Sequence, residues 1–453
     1  MTRQRALSGI AAGYVCAALM VAGPWIFTII GITGLSAIRC NAACEQLPLF
    51  RTIVIYNSMF SLVVTSPIAF FAGRHTANEL HAGHTDRVFG VLTLVLGLFC
   101  LVALLVAVPL YGAAADLDGF TRLAAVQNTL LIGTSWLLIP FLGALRAHLA
   151  ILVGFGVGAV SMTGFGWLLV DPEAGTLLTA FNASFALADA IMMACSVRRI
   201  GARIALDRTL PQRVQAIWEL PAAGLAYALG IWADKIIMWF GSPWHDAPEG
   251  GLSIAGVMRT MPSYDTAVFW AQLASIPVIA VAFVHVETRL RTLFGALYGR
   301  MGAQASLREL TDAVEKIRIC VISSIAILFV ALAIVAVMAV LFSFVFMGEL
   351  GLRPSYMSIL RISLSAMVFH ASAMFCFVFL LYFDLRRAAL LIVAAYAVLN
   401  TLLTMAVLHA GQPFYGYGSM VAAAITFFLA FTVLLRELPW LHYHAFVTNN
   451  SSI

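Results

Sequence analysis

The stretch "GLAYALGIWADKIIMWF", residues 224–240, is apolar almost throughout. A helix needs about 20 apolar residues to cross the hydrocarbon core of a bilayer, and this run approaches that length. It nevertheless carries Asp234 next to Lys235. A charge in the middle of a membrane costs about 3 kcal/mol or more. The stretch therefore predicts a membrane helix whose two charges need partners or a hydrated surface.

The composition extends this prediction to the whole chain. Of 453 residues, 62% are hydrophobic and 10% are charged, whereas soluble domains are about 25% charged. We therefore predict an all-α polytopic membrane protein of about twelve helices. The net charge of +5 does not indicate a nucleic-acid partner, because the basic residues are scattered between apolar runs. The predicted spans are 6–36, 52–73, 88–112, 122–144, 147–170, 175–197, 216–240, 264–286, 319–347, 355–383, 387–409 and 415–435.

The distribution of Lys and Arg predicts the orientation. With both termini and the even-numbered connections on one side, that side holds 19 basic residues and the other side holds 5. Basic residues favour the cytoplasmic side, so both termini are expected in the cytoplasm. The basic segment "RRIGARIALDRTLPQR" at 198–213 separates six spans from six spans. We predict an N-terminal lobe over 1–197, a cytoplasmic linker over 198–215 and a C-terminal lobe over 216–453.

The residues around Asp234 fall on one face of the predicted helix. Ala223, Tyr227, Gly230 and Asp234 follow each other at steps of four, three and four. A small and polar face either packs on a neighbouring helix or lines a hydrated cavity. Lys235 lies near the outer end of the span, where its long stem could also carry the ammonium group to the interface.

Other polar residues lie inside predicted spans. Asn182 and Asp189 are seven residues apart and share a face, Arg361 lies within a stripe of serines, and Asp265 lies at the outer start of its span. These residues favour a hydrated cavity between the two lobes. The alternative is internal pairing, in which Asp189 or Asp234 neutralises Arg361 across a helix contact.

The sequence gives no support for an enzyme. It shows no catalytic Ser/His/Asp arrangement, no extramembrane carboxylate pair and no metal-ligand spacing, so neither an enzymatic activity nor a cofactor is expected. Cys40 and Cys44 form a disulfide only if their connection is exposed to an oxidising compartment, and the sequence leaves this open. The segment 299–318 predicts an amphipathic surface helix.

Several short motifs resemble those of the PelG family of Pel exopolysaccharide inner-membrane transporters. They are "GPW" at 23–25, "GIWADK" at 230–235, "YDTAVF" at 264–269 with Pro277 following, and "VET" at 286–288. The family belongs to the polysaccharide-flippase branch of the multidrug/oligosaccharidyl-lipid/polysaccharide exporter superfamily. The resemblance covers nearly the whole chain in order and spacing.

This resemblance implies export of an amino-sugar-rich polysaccharide across the bacterial inner membrane, by alternating access or a related path between two lobes. It also implies a cytoplasmic glycosyltransferase and membrane partners that respond to cyclic di-GMP. Two alternatives stay open: a lipid-linked oligosaccharide or drug exporter of the same fold, and a membrane scaffold for a glycosyltransferase. The predicted substrate or ion path consists of Asp234, Lys235, Asp189, Asn182, Arg361 and Asp265.

Overall fold

The computed structural model describes residues 28–34, 46–169, 173–205, 209–241, 252–345 and 356–443. These residues form helices joined by short connections, together with one small β-hairpin. The helices are α1 (Leu47–His81), α2 (Thr85–Pro109), α3 (Gly119–Ala144), α4 (His148–Leu168), α5 (Ala174–Ile200), α6 (Leu210–Ala216), α7 (Glu219–Gly241), α8 (Pro262–Gly302), α9 (Leu307–Val345), α10 (Tyr356–Tyr382), α11 (Arg386–Val407) and α12 (Tyr417–Glu437).

The helices confirm the predicted membrane class. Within the described residues, 11 helical segments are long and apolar enough to cross a bilayer. Each corresponds to one of the predicted spans after the first. The first predicted span, 6–36, lies largely outside the described residues, although 28–34 is helical. Cys40 and Cys44 also lie outside the described residues.

The apolar exterior of α9 shows why these helices suit a lipid environment. Most of its most hydrophobic stretch is not covered by other parts of the protein. Its large apolar side chains recur at helical spacing along the exposed face, as expected for a surface that lipid covers. They include Ile327, Val330, Ile334, Val337 and Leu341.

The described residues group into two compact units. Those of the N-terminal unit lie within Leu19–Trp232 and Trp244–Met261, and those of the C-terminal unit within Ala233–Pro243 and Pro262–Ile453. Helix α7 is continuous, and its residues up to Trp232 belong to the N-terminal unit. These groupings rest on packing alone, so the predicted lobes, 1–197 and 216–453 with their linker, stay a prediction.

In the N-terminal unit, α3 packs on α1 and α5, and α5 also packs on α4. The first half of α7 closes on α1 at Gly224, where an added Cβ would lie 2.6 Å from the carbonyl oxygen of Ser66. In the C-terminal unit, α10 packs on α8, α9 and α12, and α11 packs on α12. Two helix bundles result, each with its own buried core.

The predicted surface helix at 299–318 is wrong. Helix α8 continues to Gly302, and α9 begins at Leu307, so the segment is divided between two long helices. Ser306 and Glu309 explain the new start, because the Glu309 carboxylate accepts hydrogen bonds from the Ser306 backbone N–H and hydroxyl, each at 2.9 Å. The Glu309 backbone N–H donates in turn to the Ser306 hydroxyl oxygen at 3.4 Å, and this reciprocal arrangement is a capping box.

A β-hairpin in the connection between α7 and α8 belongs to the N-terminal unit and is not predicted by the sequence. Its strands are β1 (Leu252–Ala255) and β2 (Met258–Thr260). The Tyr56 phenol donates to the Arg259 carbonyl at 2.8 Å and accepts from its N–H at 2.9 Å. Gly256 has φ +56°, and an added Cβ would lie 2.4 Å from the carbonyl oxygen of Ala114. Only glycine allows this turn to approach so closely.

The basic linker also docks on the N-terminal unit. Arg213 of α6 donates to the Glu79 carboxylate at 2.6 Å, and Glu79 also lies 3.3 Å from His84 and 3.6 Å from Arg87. We call Glu79, His84, Arg87 and Arg213 the linker latch. The Glu79 side chain is 3% exposed, so the ion pair with Arg213 compensates a buried carboxylate.

Candidate functional site

The buried carboxylate of Asp234 is the centre of a polar cluster in the C-terminal unit. Tyr264 of α8 donates its hydroxyl to Asp234 Oδ2 at 2.6 Å, and Asn400 Nδ2 of α11 lies 3.4 Å from Asp234 Oδ1. Lys235 Nζ lies 3.3 Å from Oδ1 and 3.4 Å from Oδ2. We call Asp234, Lys235, Tyr264 and Asn400 the Asp234 cluster. Three helices thus hold a neutralised charge pair in place.

The surroundings of the cluster are also polar. Thr404 donates to the side-chain oxygen of Asn400 at 3.3 Å, and the His370 ring lies 4.9 Å from the Tyr396 ring. One turn further along α7, Trp239 donates its indole N–H to both oxygens of Asp265, at 2.9 and 3.0 Å. A ligand with hydroxyl or amide groups could exchange hydrogen bonds here without leaving an isolated charge, because Lys235 balances Asp234.

The sequence prediction for the face of α7 is supported by burial. Ala223, Gly230 and Asp234 are buried, and Tyr227 is partly buried. Lys235 does not extend freely to the interface, since its side chain is 12% exposed and its ammonium group contacts Asp234. The interpretation of Lys235 as a snorkelling residue is therefore less favoured by the geometry than pairing with Asp234.

Asn182 belongs to a different network, in the N-terminal unit. It accepts a hydrogen bond from Asn128 at 2.7 Å, and Asn128 accepts one from Asn57 at 2.8 Å. The side-chain oxygen of Asn57 accepts from the Tyr111 hydroxyl at 2.6 Å and from Thr129 at 2.7 Å. These groups are uncharged, buried and mutually satisfied, which is the pattern of a core polar network.

Asp189 lies seven residues after Asn182 on α5, and its side chain makes one hydrogen bond among the described residues. Ser135 of α3 donates to Asp189 Oδ1 at 2.6 Å. The other oxygen, Oδ2, is buried and has no hydrogen-bond partner among the described residues. Asn182 and Asp189 therefore share a face towards α3, as their spacing predicts, but they contact different residues of that helix.

Arg361 is an exposed residue of α10, and its guanidinium lies 4.9 Å from the centre of the Phe344 ring. This is a cation–π contact. Within the part of the chain that the structure describes, Asp234 pairs with Lys235, and an ion pair between Asp234 and Arg361 is not observed.

Sequence reasoning identified the charges of the site but not their partners. Tyr264 stands in the quoted motif "YDTAVF", yet a tyrosine at the start of an apolar span gives no sign that its hydroxyl reaches the preceding span. Ser135 is equally ordinary in sequence. Asn400 carried a detectable signal, because an amide inside an apolar run needs a partner.

The fold of the chain matches that of several solved membrane transporters. A MOP superfamily transporter from Pyrococcus furiosus aligns with a TM-score of 0.61 at 12% identity, covering 95% of each chain. An outward-facing multidrug resistance MATE family transporter aligns with a TM-score of 0.60 at 13% identity, covering 94% of this chain and 96% of that one. An inward-facing MATE family transporter aligns with a TM-score of 0.53 at 14% identity, covering 95% of each. The chain has the fold of these transporters, and the 11 apolar helices of its described residues make it a multi-pass membrane protein.

The family follows from the sequence itself. Residues 1–446 match the PelG family, which is described as "Putative exopolysaccharide Exporter (EPS-E)". The match covers nearly the whole chain, so the protein belongs to the PelG family. No curated relative matches the sequence.

Proposed function

We propose that the protein exports an amino-sugar-rich exopolysaccharide of the Pel type across the bacterial inner membrane, with both termini in the cytoplasm. The observation that carries this proposal is the Asp234 cluster, a charged pair held within apolar helices of a chain of this family. Ionisable groups inside membrane helices are rare, and they frequently mark substrate or ion pathways. The Lys and Arg asymmetry supports the orientation.

The chemistry of the cluster fits a carbohydrate. Sugar hydroxyls donate to carboxylates and accept from ammonium groups, and N-acetyl groups do both with amides. Asp234, Lys235 and Asn400 provide all three kinds of group. Asp265 of α8, whose carboxylate accepts a hydrogen bond from Trp239 of α7, adds a further acceptor. An aromatic ring beside a carboxylate is also suited to a sugar ring with an amino substituent.

Alternating access is the mechanism we propose, because transporters of this fold have been solved in outward-facing and inward-facing conformations. In such a cycle the site must be reached from each side of the membrane in turn. A cytoplasmic glycosyltransferase would deliver the polymer, and membrane partners responsive to cyclic di-GMP would control delivery, as the family resemblance implies.

The proposal is tested by complementation. Cells that lack the protein are resupplied with the wild type, with Asp234→Asn or with Asp384→Asn, and secreted polysaccharide and membrane abundance are measured in the same samples. Asp384 is the matched control, because it also pairs with a basic residue, Arg386 at 3.2 Å, but lies in a connection between helices. Its φ of +59° is one that asparagine adopts readily.

We expect Asp234→Asn to lose secretion at normal abundance and Asp384→Asn to secrete normally. Normal secretion by Asp234→Asn would contradict a role for the cluster in transport. Secretion of lipid-linked oligosaccharides or small drugs in place of polymer would favour an exporter of another substrate class.

A further inference from the structure

The buried carboxylates of Asp234 and Asp189 differ in how their charge is balanced. Asp234 has an ammonium group at 3.3 Å and a hydroxyl donor at 2.6 Å. Asp189 is 6% exposed and has one neutral donor, the Ser135 hydroxyl. Its Oδ2 atom is buried without a hydrogen-bond partner among the described residues. An ionised carboxylate at this position lacks the compensation that Asp234 has.

Among the described residues, Asp189 has no ion-pair partner, and the Ser135 hydroxyl is its hydrogen-bond donor. On α5 itself, Cys195 is six residues from Asp189, and Arg198 and Arg199 are nine and ten residues away, about 14–15 Å at a rise of about 1.5 Å per residue. The other titratable groups on the helices packed against α5 are Arg122 of α3, His148 of α4, Asp86, Arg87 and Cys100 of α2, and Arg51, Tyr56, Arg74, His75, Glu79 and His81 of α1.

We propose that Asp189 is a proton-binding site, which takes up one proton on its carboxylate to form the neutral acid. No other bond forms or breaks in this step. Ser135 suits both states, because a hydroxyl group can donate to the carboxylate and accept from the acid. A protonated Asp189 removes the buried charge, whereas Asp234 has no such need because Lys235 balances it.

The small number of oxygen atoms around Asp189 favours a proton over a metal cation as the ligand. A hard cation takes about six oxygen ligands or more. The polar side-chain contact that the structure gives Asp189 is the single Ser135 hydroxyl. One acceptor atom is enough to hold a proton.

This inference deepens the proposed function and rests on it. A carboxyl group that takes up a proton from one side of the membrane and releases it to the other side would couple export to the proton gradient. The coupling site would then lie in the N-terminal unit, and the Asp234 cluster of the C-terminal unit would bind the substrate.

The first test reads protonation directly and does not depend on export. Infrared difference spectra between acidic and alkaline buffer are recorded on the purified full chain in lipid nanodiscs, for the wild type, Asp189→Asn, Ser135→Ala and Asp384→Asn. We expect a carboxylic-acid carbonyl band that Asp189→Asn removes and Asp384→Asn retains. Ser135→Ala should shift this band, because the Ser135 hydroxyl hydrogen-bonds to the carboxyl group.

The Ser135→Ala shift keeps the test valid if Asp189→Asn fails to fold, and Asp189→Glu provides a second variant that retains a carboxyl group. A band that is absent from the wild type, or unchanged in the Asp189 and Ser135 variants, overturns the proposal. A band that sodium chloride removes at constant pH overturns it in favour of a cation site.

The second test separates this inference from the proposed function. Secretion is measured in cells carrying Asp189→Asn, and wild-type cells are treated with a protonophore. We expect secretion to fall to background in both. Normal secretion by Asp189→Asn at normal abundance overturns proton coupling but leaves polysaccharide export intact. Absence of polymer export by the wild type contradicts the proposed function itself, while the infrared result still stands.

Discussion

The linker latch gives a prediction whose size follows from the geometry. In Glu79→Gln, the Arg213 guanidinium loses the charge of a carboxylate 2.6 Å away. Removing one partner of a fully buried pair costs about 3–5 kcal/mol, and exposed pairs contribute about 0–1 kcal/mol. Glu79 is 3% exposed but Arg213 is 40% exposed, so solvent screens part of the interaction. We expect the free energy of unfolding to fall by about 1–2 kcal/mol.

A double-mutant cycle isolates the pair from its surroundings. Unfolding in mixed micelles of increasing denaturing detergent is compared for wild type, Glu79→Gln, Arg213→Met and the double variant. The control cycle uses Glu315 and Arg318, which lie 3.1 Å apart with side chains 50% and 42% exposed.

We expect a coupling energy of about 1 kcal/mol or more at the latch and about 0.5 kcal/mol or less in the control pair. Additive effects of Glu79→Gln and Arg213→Met would refute the reasoning. The same coupling energy in both cycles would also refute it, because burial of Glu79 would then have no effect.

Two further predictions concern helix contacts. Gly224→Ala should lower the free energy of unfolding by about 1–3 kcal/mol, because the added Cβ would lie 2.6 Å from the Ser66 carbonyl oxygen. The control is Gly73→Ala, whose added Cβ would have no atom within 4 Å. It should be neutral or slightly stabilising in the same denaturation assay. Asp118→Ala should cost about 1 kcal/mol, because its side chain caps α3, and Glu173→Ala should not, because Glu173 makes no side-chain cap to α5. Hydrogen bonds from Thr121 hold the pKa of Asp118 below its usual value. The contribution of Asp118 to stability is therefore present above the unfolded-state pKa and is lost as pH falls through the lower folded-state pKa. An Asp118→Ala effect that persists at acidic pH would contradict this.

Much of the fold follows from the sequence because apolar run length is a direct physical requirement of a bilayer. The helices from α1 to α5 and from α7 onwards correspond to predicted spans. Their ends are less predictable, because helices continue past the membrane when a cap or a contact supports them. Helix α8 shows this, since it extends to Gly302 beyond the predicted 264–286.

The hairpin could not be predicted for a related reason. Its strands are three and four residues long, and they are held by contacts with Tyr56 and Ala114, which are distant in sequence. Strand preference depends on such context more than helix preference does.

The candidate site was predictable as a set of charges but not as a set of contacts. Asp234 and Asp189 are conspicuous because charged residues are costly in an apolar run. Their different environments depend on which side chain the neighbouring helix presents at the same depth. Only the folded chain brings Tyr264 and Asn400 to Asp234, and Ser135 to Asp189.

The central claim is that this chain moves the polymer and does not merely anchor the enzyme that makes it. The most direct measurement compares glycosyltransferase activity of isolated membranes with secreted polymer in cells carrying wild type or Asp234→Asn. The account predicts normal synthesis by Asp234→Asn membranes and loss of secreted polymer from the cells. Parallel loss of synthesis and secretion at normal membrane abundance, or secretion that continues unchanged, would contradict it.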